Sequence, residues 1–359
     1  MAFNYNRIVI KIGSNVLTRK DGLPDLDRIS HLVEQIASIK KQGKEVILVS
    51  SGAVASGRSM ITISDKSDAV AVRQLLASIG QVKLINTYSE LFSHYNMLCS
   101  QVLVTKEDFR DRLHYLNMRN CLEILLQHQV LPVVNENDVV SVTELMFTDN
   151  DELAGLIASM LNAQALIVLT NVDGIYDGDP KLPGSKLLTQ IDNNTADFSS
   201  FVTSGRSQFG RGGMITKSTM SQKVAQLGIA VHIANGTRNN ILTDVLENKI
   251  PHTRFAPDKS KSGKKKWIAH SAHFATGIVQ VNEGAKTALT SSKATSLLPV
   301  GMVAVLAGFN KGEIIKLVDE QNKMIGLGIA EYGSEKAKER IGQKNQKPLV
   351  HYDYLYLQG

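Results

Sequence analysis

The segment IVIKIGSNVL, residues 8–17, decides how the chain is read. From Ile8 to Ile12 the residues are β-branched apart from Lys11, the composition of a strand buried on both faces in a parallel sheet. The run ends in Gly13-Ser14, so the Lys11 ammonium stands beside backbone N–H groups that can approach an anion. Outward from this strand the pattern repeats at Glu45–Ser50, Cys99–Val104, Val130–Val134, Ala165–Thr170 and Ala230–Ala234. Between these runs the apolar spacing changes to three and four. A helix is expected from Asp25 to about Gln42, with Ile29, Leu32, Val33, Ile36 and Ile39 on one stripe and Gly43 as its stop. Another is expected from Asp68 to Lys83, using Val72, Leu75, Leu76, Ile79 and Val82. Strand and helix alternate over the first 250 residues, which is the α/β signature.

At about 150 residues per domain, a chain of 359 residues holds about two domains. Hydrophobic residues make up 43% and charged residues 21%, an ordinary globular balance that excludes disordered and fibrous classes. The longest apolar stretch, Leu297 to Phe309, contains Pro299, Gly301 and Gly308 and is too short to span a bilayer, so no membrane partner is expected. Lys11 interrupts the first apolar run too early for a signal peptide, and a cytoplasmic location is expected. Cys99 and Cys121 are too far apart for a CxxC pair and read as small core residues.

The net charge of +6 is concentrated between Lys249 and Lys266, where seven basic residues face Asp258 alone. That segment includes Pro251, Pro257 and DKSKSGKKK, a composition expected to stay exposed as a linker. Beyond it, GIVQV, MVAVLA, EIIKLV and MIGLGIA are short, closely spaced and punctuated by glycine, as in a small β-rich module. The resulting division is an α/β domain over 1–255, a basic linker over 256–270 and a β-rich domain over 271–359.

The chain has no GxxxxGK[ST] loop, no GxGxxG after a strand, no HExxH and no kinase-type HRD or DFG. The candidate chemistry lies in turns at strand ends, where an open α/β sheet holds its ligand. In ILVSSGAVASG, Ser51, Gly52, Ala53 and Gly57 are small enough for backbone to touch a ligand. PVVNENDVV and FTDNDELAG bring together Asn135, Glu136, Asn137, Asp138, Asp149, Asn150 and Asp151, amide and acidic groups suited to an ammonium. Asp138 is expected to face the ligand, and Asp149 or Asn150 to cap a helix over Glu152–Leu161. ALIVLTNVDGIYDGDP is a strand ending in a polar loop. In GRGGMITKSTMSQKVAQLG a glycine loop feeds a helix carrying Lys217, a combination that suits a nucleotide phosphate.

Taken in order, VIKIGSNVL, VSSGAVASG, PVVNENDVV, FTDNDELA, LTNVDGIYDGDP and GRGGMITK resemble the amino-acid kinase family over nearly the whole chain. The NEND, TDND and GGM-x-TK segments are similar to the branch that phosphorylates glutamate, and EGAKTAL through GLGIAEY resembles a PUA domain. The resemblance implies a three-layer sandwich with a mainly parallel sheet and a small PUA-like β-rich domain. It implies ATP-dependent phosphorylation of the γ-carboxylate of L-glutamate to γ-glutamyl 5-phosphate, the first step of proline biosynthesis, with Mg²⁺ and with no residue assigned as a metal ligand. Carried over position by position, it makes Lys11, Lys217 and Asp151 catalytic, with Asp151 orienting the two lysines. Ser51, Gly52, Asp138 and Asn150 contact the substrate. Lys11, Gly13, Thr170, Asn171 and the run Arg211, Gly212, Gly213, Met214, Ile215, Thr216 and Lys217 contact ATP. Many relatives have Asp at the position of Asn171 and Thr at that of Arg211. The resemblance further implies a homo-oligomer, feedback by proline and hand-off to γ-glutamyl phosphate reductase. The other readings are a related kinase acting on aspartate or acetylglutamate, and an RNA-binding regulator using the PUA-like module. The module's excess of only two positive charges argues against RNA as the main partner.

Overall fold

The run Arg7–Ile12 forms strand β1, buried from Ile8 onward. The computed structural model describes residues 2–63, 68–141, 147, 150–179, 182, 184–192, 214–258, 263–291 and 295–357. Along the first part of the chain β1 is followed by α1 (Ser14–Leu17), α2 (Leu26–Lys41), β2 (Glu45–Ser50), α3 (Ala53–Arg58) and α4 (Ala69–Ser93). Next come β3 (Cys99–Val104), α5 (Lys106–Arg110), α6 (Arg112–Gln127), β4 (Leu131–Glu136), α7 (Asn150–Met160) and β5 (Ala165–Thr170). Then follow β6 (Gln190–Ile191), α8 (Met214–Gln226), β7 (Ala230–Asn235), α9 (Ile241–Leu246) and β8 (Thr253–Phe255). The strands lie in the order β3-β4-β2-β1-β5-β7-β8-β6, parallel except for the β7–β8 pair.

Alternation along β1 separates two chemistries. Ile8, Ile10 and Ile12 face a core that includes Ile29, Leu32 and Ile36 of α2 and Ile241, Leu242 and Val245 of α9. Val9 and Lys11 face the other side, where α7 lies over β1, β2, β4 and β5 with Leu153 to Met160 all buried. Helix α8 rests on α7 at Gly155, where an added Cβ would lie 2.9 Å from Val224 Cγ2 and 3.0 Å from Met220 Sδ. One turn before this close approach, the two helices carry Asp151 and Lys217.

The two clearest expected helices form. Asp25 caps α2 by accepting from Arg28 N–H at 3.0 Å, and Asp68 caps α4. Helix α4 continues ten residues past Lys83, because Leu84, Tyr88 and Phe92 keep the i, i+4 spacing and are buried. Strand β4 continues through Asn135 and Glu136, so the first two residues of NEND belong to the sheet. Cys121 is exposed on α6 and Cys99 half-buried, so neither is the core residue expected.

The chain divides into two compact units, Met1–Ser260 and Lys261–Gly359. The second unit begins with α10 (Gly263–His270) and continues through β9 (Gly277–Val281), α11 (Glu283–Thr290), β10 (Met302–Ala307), β11 (Ile314–Val318), β12 (Met324–Ile329), α12 (Ser334–Arg340) and β13 (Leu355–Leu357). Its sheet runs β10-β9-β11-β12-β13 around a core containing Val279, Val281, Ile315, Leu317 and Leu327. The proposed linker over 256–270 differs from this arrangement at both ends. Ala256 N–H donates to Ile191 O at 3.1 Å and Asp258 N–H to Ala225 O at 2.9 Å, so the chain is still bonded to the first unit there. Residues 263–270 are helical with Lys266, Trp267 and Ile268 buried, because apolar residues follow the lysine run and a lysine stem is itself apolar. Among the described residues no helix is long and apolar enough to cross a membrane.

A buried polar relay ties the N-terminal segment to β7 and β8. His252 Nδ1–H donates to Ile250 O at 3.0 Å, which leaves Nε2 of the neutral ring to accept from His232 Nδ1–H at 2.8 Å. His232 Nε2 then accepts from the Tyr5 hydroxyl at 3.0 Å. Burial holds His232 well below the ordinary histidine range and lowers His252 as well, so both rings are neutral in the fold. Unfolded histidines take up protons below about pH 6.5, whereas burial makes these two harder to protonate in the fold, so stability is complete above that pH and falls as pH drops. Urea unfolding between pH 7 and 5 is expected to show this loss at up to about 1.4 kcal/mol per pH unit for each imidazole. In His252→Gln the slope is expected to be smaller.

A chain ending at Ser260 keeps all eight strands of the first unit and is expected to unfold cooperatively with the circular dichroism of an α/β unit. A chain ending at Arg254 loses the buried Phe255 and is expected to be less stable by about 3–5 kcal/mol in urea unfolding.

Candidate active site

Three charges meet beneath the C-terminal end of β1. Asp151, in the first turn of α7, is completely buried and bonded to both lysines singled out from the sequence. Lys11 Nζ lies 2.6 Å from Asp151 Oδ1, and Lys217 Nζ is paired with Oδ2 of the same carboxylate. Burial alone would push the Asp151 carboxyl up, but the two ammoniums hold it below the usual carboxylate range. One buried carboxylate thus fixes two cations that would otherwise repel, and the cluster keeps one net positive charge.

A second group lies beside it at the ends of β2 and β4. Asn150 Nδ2–H donates to Ser51 Oγ at 2.8 Å and to Asn135 Oδ1 at 3.1 Å. Ser51 precedes Gly52, whose left-handed backbone (φ +106°) begins α3. Ser50, on the other side, bonds the Tyr88 hydroxyl of α4 at 2.8 Å, and burial raises that phenol's pKa. Of the residues expected at the substrate, Ser51, Gly52 and Asn150 are therefore brought together, with Asn135 as a further member. Asp138 is buried close by in sequence and is engaged by Arg73, whose Nη2 lies 2.6 Å from Oδ1.

At the end of β5, Thr170 Oγ1–H donates to Asn171 Oδ1 at 3.4 Å, and Gly236 N–H donates to Thr170 O at 2.8 Å. Asp173 accepts a two-pronged bond from Arg238, at 3.0 and 2.8 Å, and one from Asn235 Nδ2 at 3.0 Å. Burial raises the Asp173 carboxyl, and these donors bring it below its ordinary value. The Gly13 N–H, expected to face an anion, donates to Leu169 O at 3.2 Å. Met214, Ile215 and Thr216 form the first turn of α8 ahead of Lys217. Arg211, Gly212, Gly213 and Asp149 lie outside the described residues.

Local sequence patterns do not point to Arg73, Asp173 or Arg238, which the fold brings to these strand ends. Arg73 lies on α4 between its apolar positions Val72 and Leu75, and Asp173 lies in the loop after β5. Their partners are 65 residues away in sequence in each case, so no local pattern links them.

Residues 6–235 match the amino acid kinase family, and residues 277–352 match the PUA domain. The chain belongs to the amino acid kinase family. Within this family it is 50% identical over 361 residues to the glutamate 5-kinase of Bacteroides thetaiotaomicron, covering 100% of both chains. It is 49% identical over 354 residues to that of Chlorobaculum tepidum, covering 98% of each chain. Among solved structures it resembles the carbamate kinase of Giardia lamblia bound to AMP-PNP, with a TM-score of 0.50 and 20% identity over 70% of this chain and 99% of that one. An isopentenyl phosphate kinase substrate complex gives a TM-score of 0.51 and 19% identity over 70% and 99%. At these identities the likeness concerns the amino acid kinase fold, with its mainly parallel sheet, and extends no further.

Removing the carboxylate that joins the two lysines leaves buried like charges facing each other. Asp151→Ala is expected to destabilise the first unit by about 3–5 kcal/mol in urea unfolding. Because the Asp151 pKa is depressed, its contribution is fully present above about pH 3.8 and is lost as pH falls through the folded value. It therefore leaves the slope between pH 7 and 5 unchanged.

Proposed function

We propose that the chain transfers the γ-phosphoryl group of ATP to the side-chain carboxylate of L-glutamate, giving ADP and γ-glutamyl 5-phosphate, the first step of proline biosynthesis. The observation that carries this reading is the buried Lys11–Asp151–Lys217 cluster, in a chain 50% identical across its whole length to a curated glutamate 5-kinase. A glutamate side chain has a pKa of about 4.3, so at pH 7 it is already the nucleophile and needs no general base. A bond forms between a carboxylate oxygen and the γ-phosphorus as the bond from phosphorus to the β–γ bridging oxygen breaks. ADP keeps the electron pair, and no proton moves.

The barrier comes from two anions meeting, and the reaction is helped by positioning and by charge neutralisation. Lys11 contacts the phosphates from the end of β1, and Lys217 follows the transferring group. Asp151 holds both ammoniums in place. Ser51, Gly52, Asn150 and Asp138 hold glutamate, while Thr170, Asn171 and the segment from Arg211 to Lys217 hold the nucleotide; the Gly13 N–H already donates to Leu169 O. Asn171 offers an amide where many relatives have a carboxylate, so it hydrogen-bonds without adding negative charge beside the phosphates. Mg²⁺ supplies further neutralisation when bound with the nucleotide. Asp151, already joined to two ammoniums, is not offered to it.

The product is an acyl phosphate, which water destroys, and this favours direct hand-off to a γ-glutamyl phosphate reductase in the cytoplasm. Assembly as a homo-oligomer and feedback by proline belong to the same reading.

Hydroxamate formation with ATP, measured side by side for glutamate, aspartate and acetylglutamate, tests the assignment. Glutamate is expected to be the preferred acceptor, and preference for either of the others overturns it. In Lys217→Ala, kcat is expected to fall about 100- to 1000-fold with glutamate KM nearly unchanged, because the charge acts as the phosphoryl group moves. A normal kcat removes Lys217 from that role.

A further inference from the structure

Asp138, one of the groups proposed to hold glutamate, is already joined to a cation. Arg73 brings Nε to 3.2 Å and Nη2 to 2.6 Å of one oxygen, Asp138 Oδ1, and its Nη2 lies 3.9 Å from Glu136 Oε2. Both contacts to Asp138 converge on Oδ1. Among the described residues neither Asp138 Oδ2 nor Arg73 Nη1 has a bonded partner. The Arg73 side chain is 34% exposed, so its free edge is open to a ligand, while Asp138 is held at 9%.

The pair is held in place by the substrate half itself. Helix α4 is packed against the start of α3 so closely that a Cβ at Gly80 would lie 1.8 Å from Ala53 O, beside Ser51 and Gly52. Two further side chains of α4 grip the segment that carries Asp138. Gln81 Nε2–H donates to Glu136 O at 3.3 Å, and Gln74 Nε2–H donates to Val139 O at 2.7 Å. The guanidinium and the carboxylate are therefore fixed relative to each other and to Ser51 and Asn150.

We propose that Asp138 and Arg73 together form the receptor for the α-amino-acid headgroup. Asp138 takes the ammonium, and Arg73 takes the α-carboxylate. The inference rests on the reading of the site as a glutamate kinase. Glutamate has two carboxylates, and Lys11 and Lys217 serve the one that is phosphorylated. The other carboxylate needs a cation of its own at the opposite end of the substrate. A guanidinium beside a carboxylate, each with an unused edge, complements an ammonium beside a carboxylate, and the fork of arginine suits that anion. Arg73 is thus a specificity-determining residue that separates amino-acid substrates from amines and acids sharing the same reacting end.

The test uses γ-aminobutyrate, which is glutamate without its α-carboxylate, and compares kcat/KM for the two acceptors in the full-length protein at saturating ATP. The wild-type protein is expected to prefer glutamate by about 1000-fold or more. In Arg73→Met, kcat/KM for glutamate is expected to fall about 30- to 1000-fold, chiefly through KM. The γ-aminobutyrate value and the KM for ATP are expected to stay within about threefold, so the preference collapses. Arg73→Lys keeps the cation and is expected to recover at least about a tenth of the glutamate activity. Equal losses for both acceptors in Arg73→Met, or no rescue by lysine, assign Arg73 a structural role and overturn the proposal. Wild-type protein that turns over no glutamate overturns the reading of the site, and the proposal with it.

Discussion

The buried carboxylate of Asp151 is the constraint on which the proposed site depends. Two lysine ammoniums beneath the same end of the sheet repel each other and are costly to desolvate, and neither would keep a defined position alone. A single aspartate with no exposure brings both into one cluster that keeps a net positive charge. Its position follows from packing. Asp151 lies in the first turn of α7, which covers the sheet face that Lys11 occupies, and α8 meets α7 closely at Gly155 one turn further on. Lys217 is delivered by that contact.

The neighbouring polar group is organised the same way, through helices that approach without side chains between them. Gly80 lets α4 touch the start of α3, and Tyr88 on the same helix reaches Ser50 at the end of β2. Gln81 then bonds the last residue of β4, and Arg73 and Gln74 bond the segment just after it. The polar groups at the strand ends are thus held by a scaffold with little freedom, which preorganised binding requires.

The elements that were legible in the sequence were long and periodic. β1, β2, β3 and β5 lie where their apolar runs lie, and Asp25 caps its helix where the acidic residue stands before the apolar stripe. β6 has two residues and β8 three, too few for any periodicity, and both exist because neighbouring strands offer them edges. The charge of the basic string before Trp267 points to an exposed linker. The apolar residues that follow it instead draw residues 263–270 into a helix with Lys266 buried by its stem.

By itself the sequence determined which residues could do chemistry: a lysine ending a buried strand, amides and acids clustered at strand ends, and a lysine behind a glycine loop. Only the tertiary structure decided which of them meet. Lys11 and Asp151 are separated by 140 positions and Asp138 and Arg73 by 65, and each pair meets because strand alternation and close helix packing turn the side chains to one side. Residue type and local period are properties of a few neighbouring residues. A salt bridge between distant segments depends on how whole layers pack, and no short stretch of the chain contains that information.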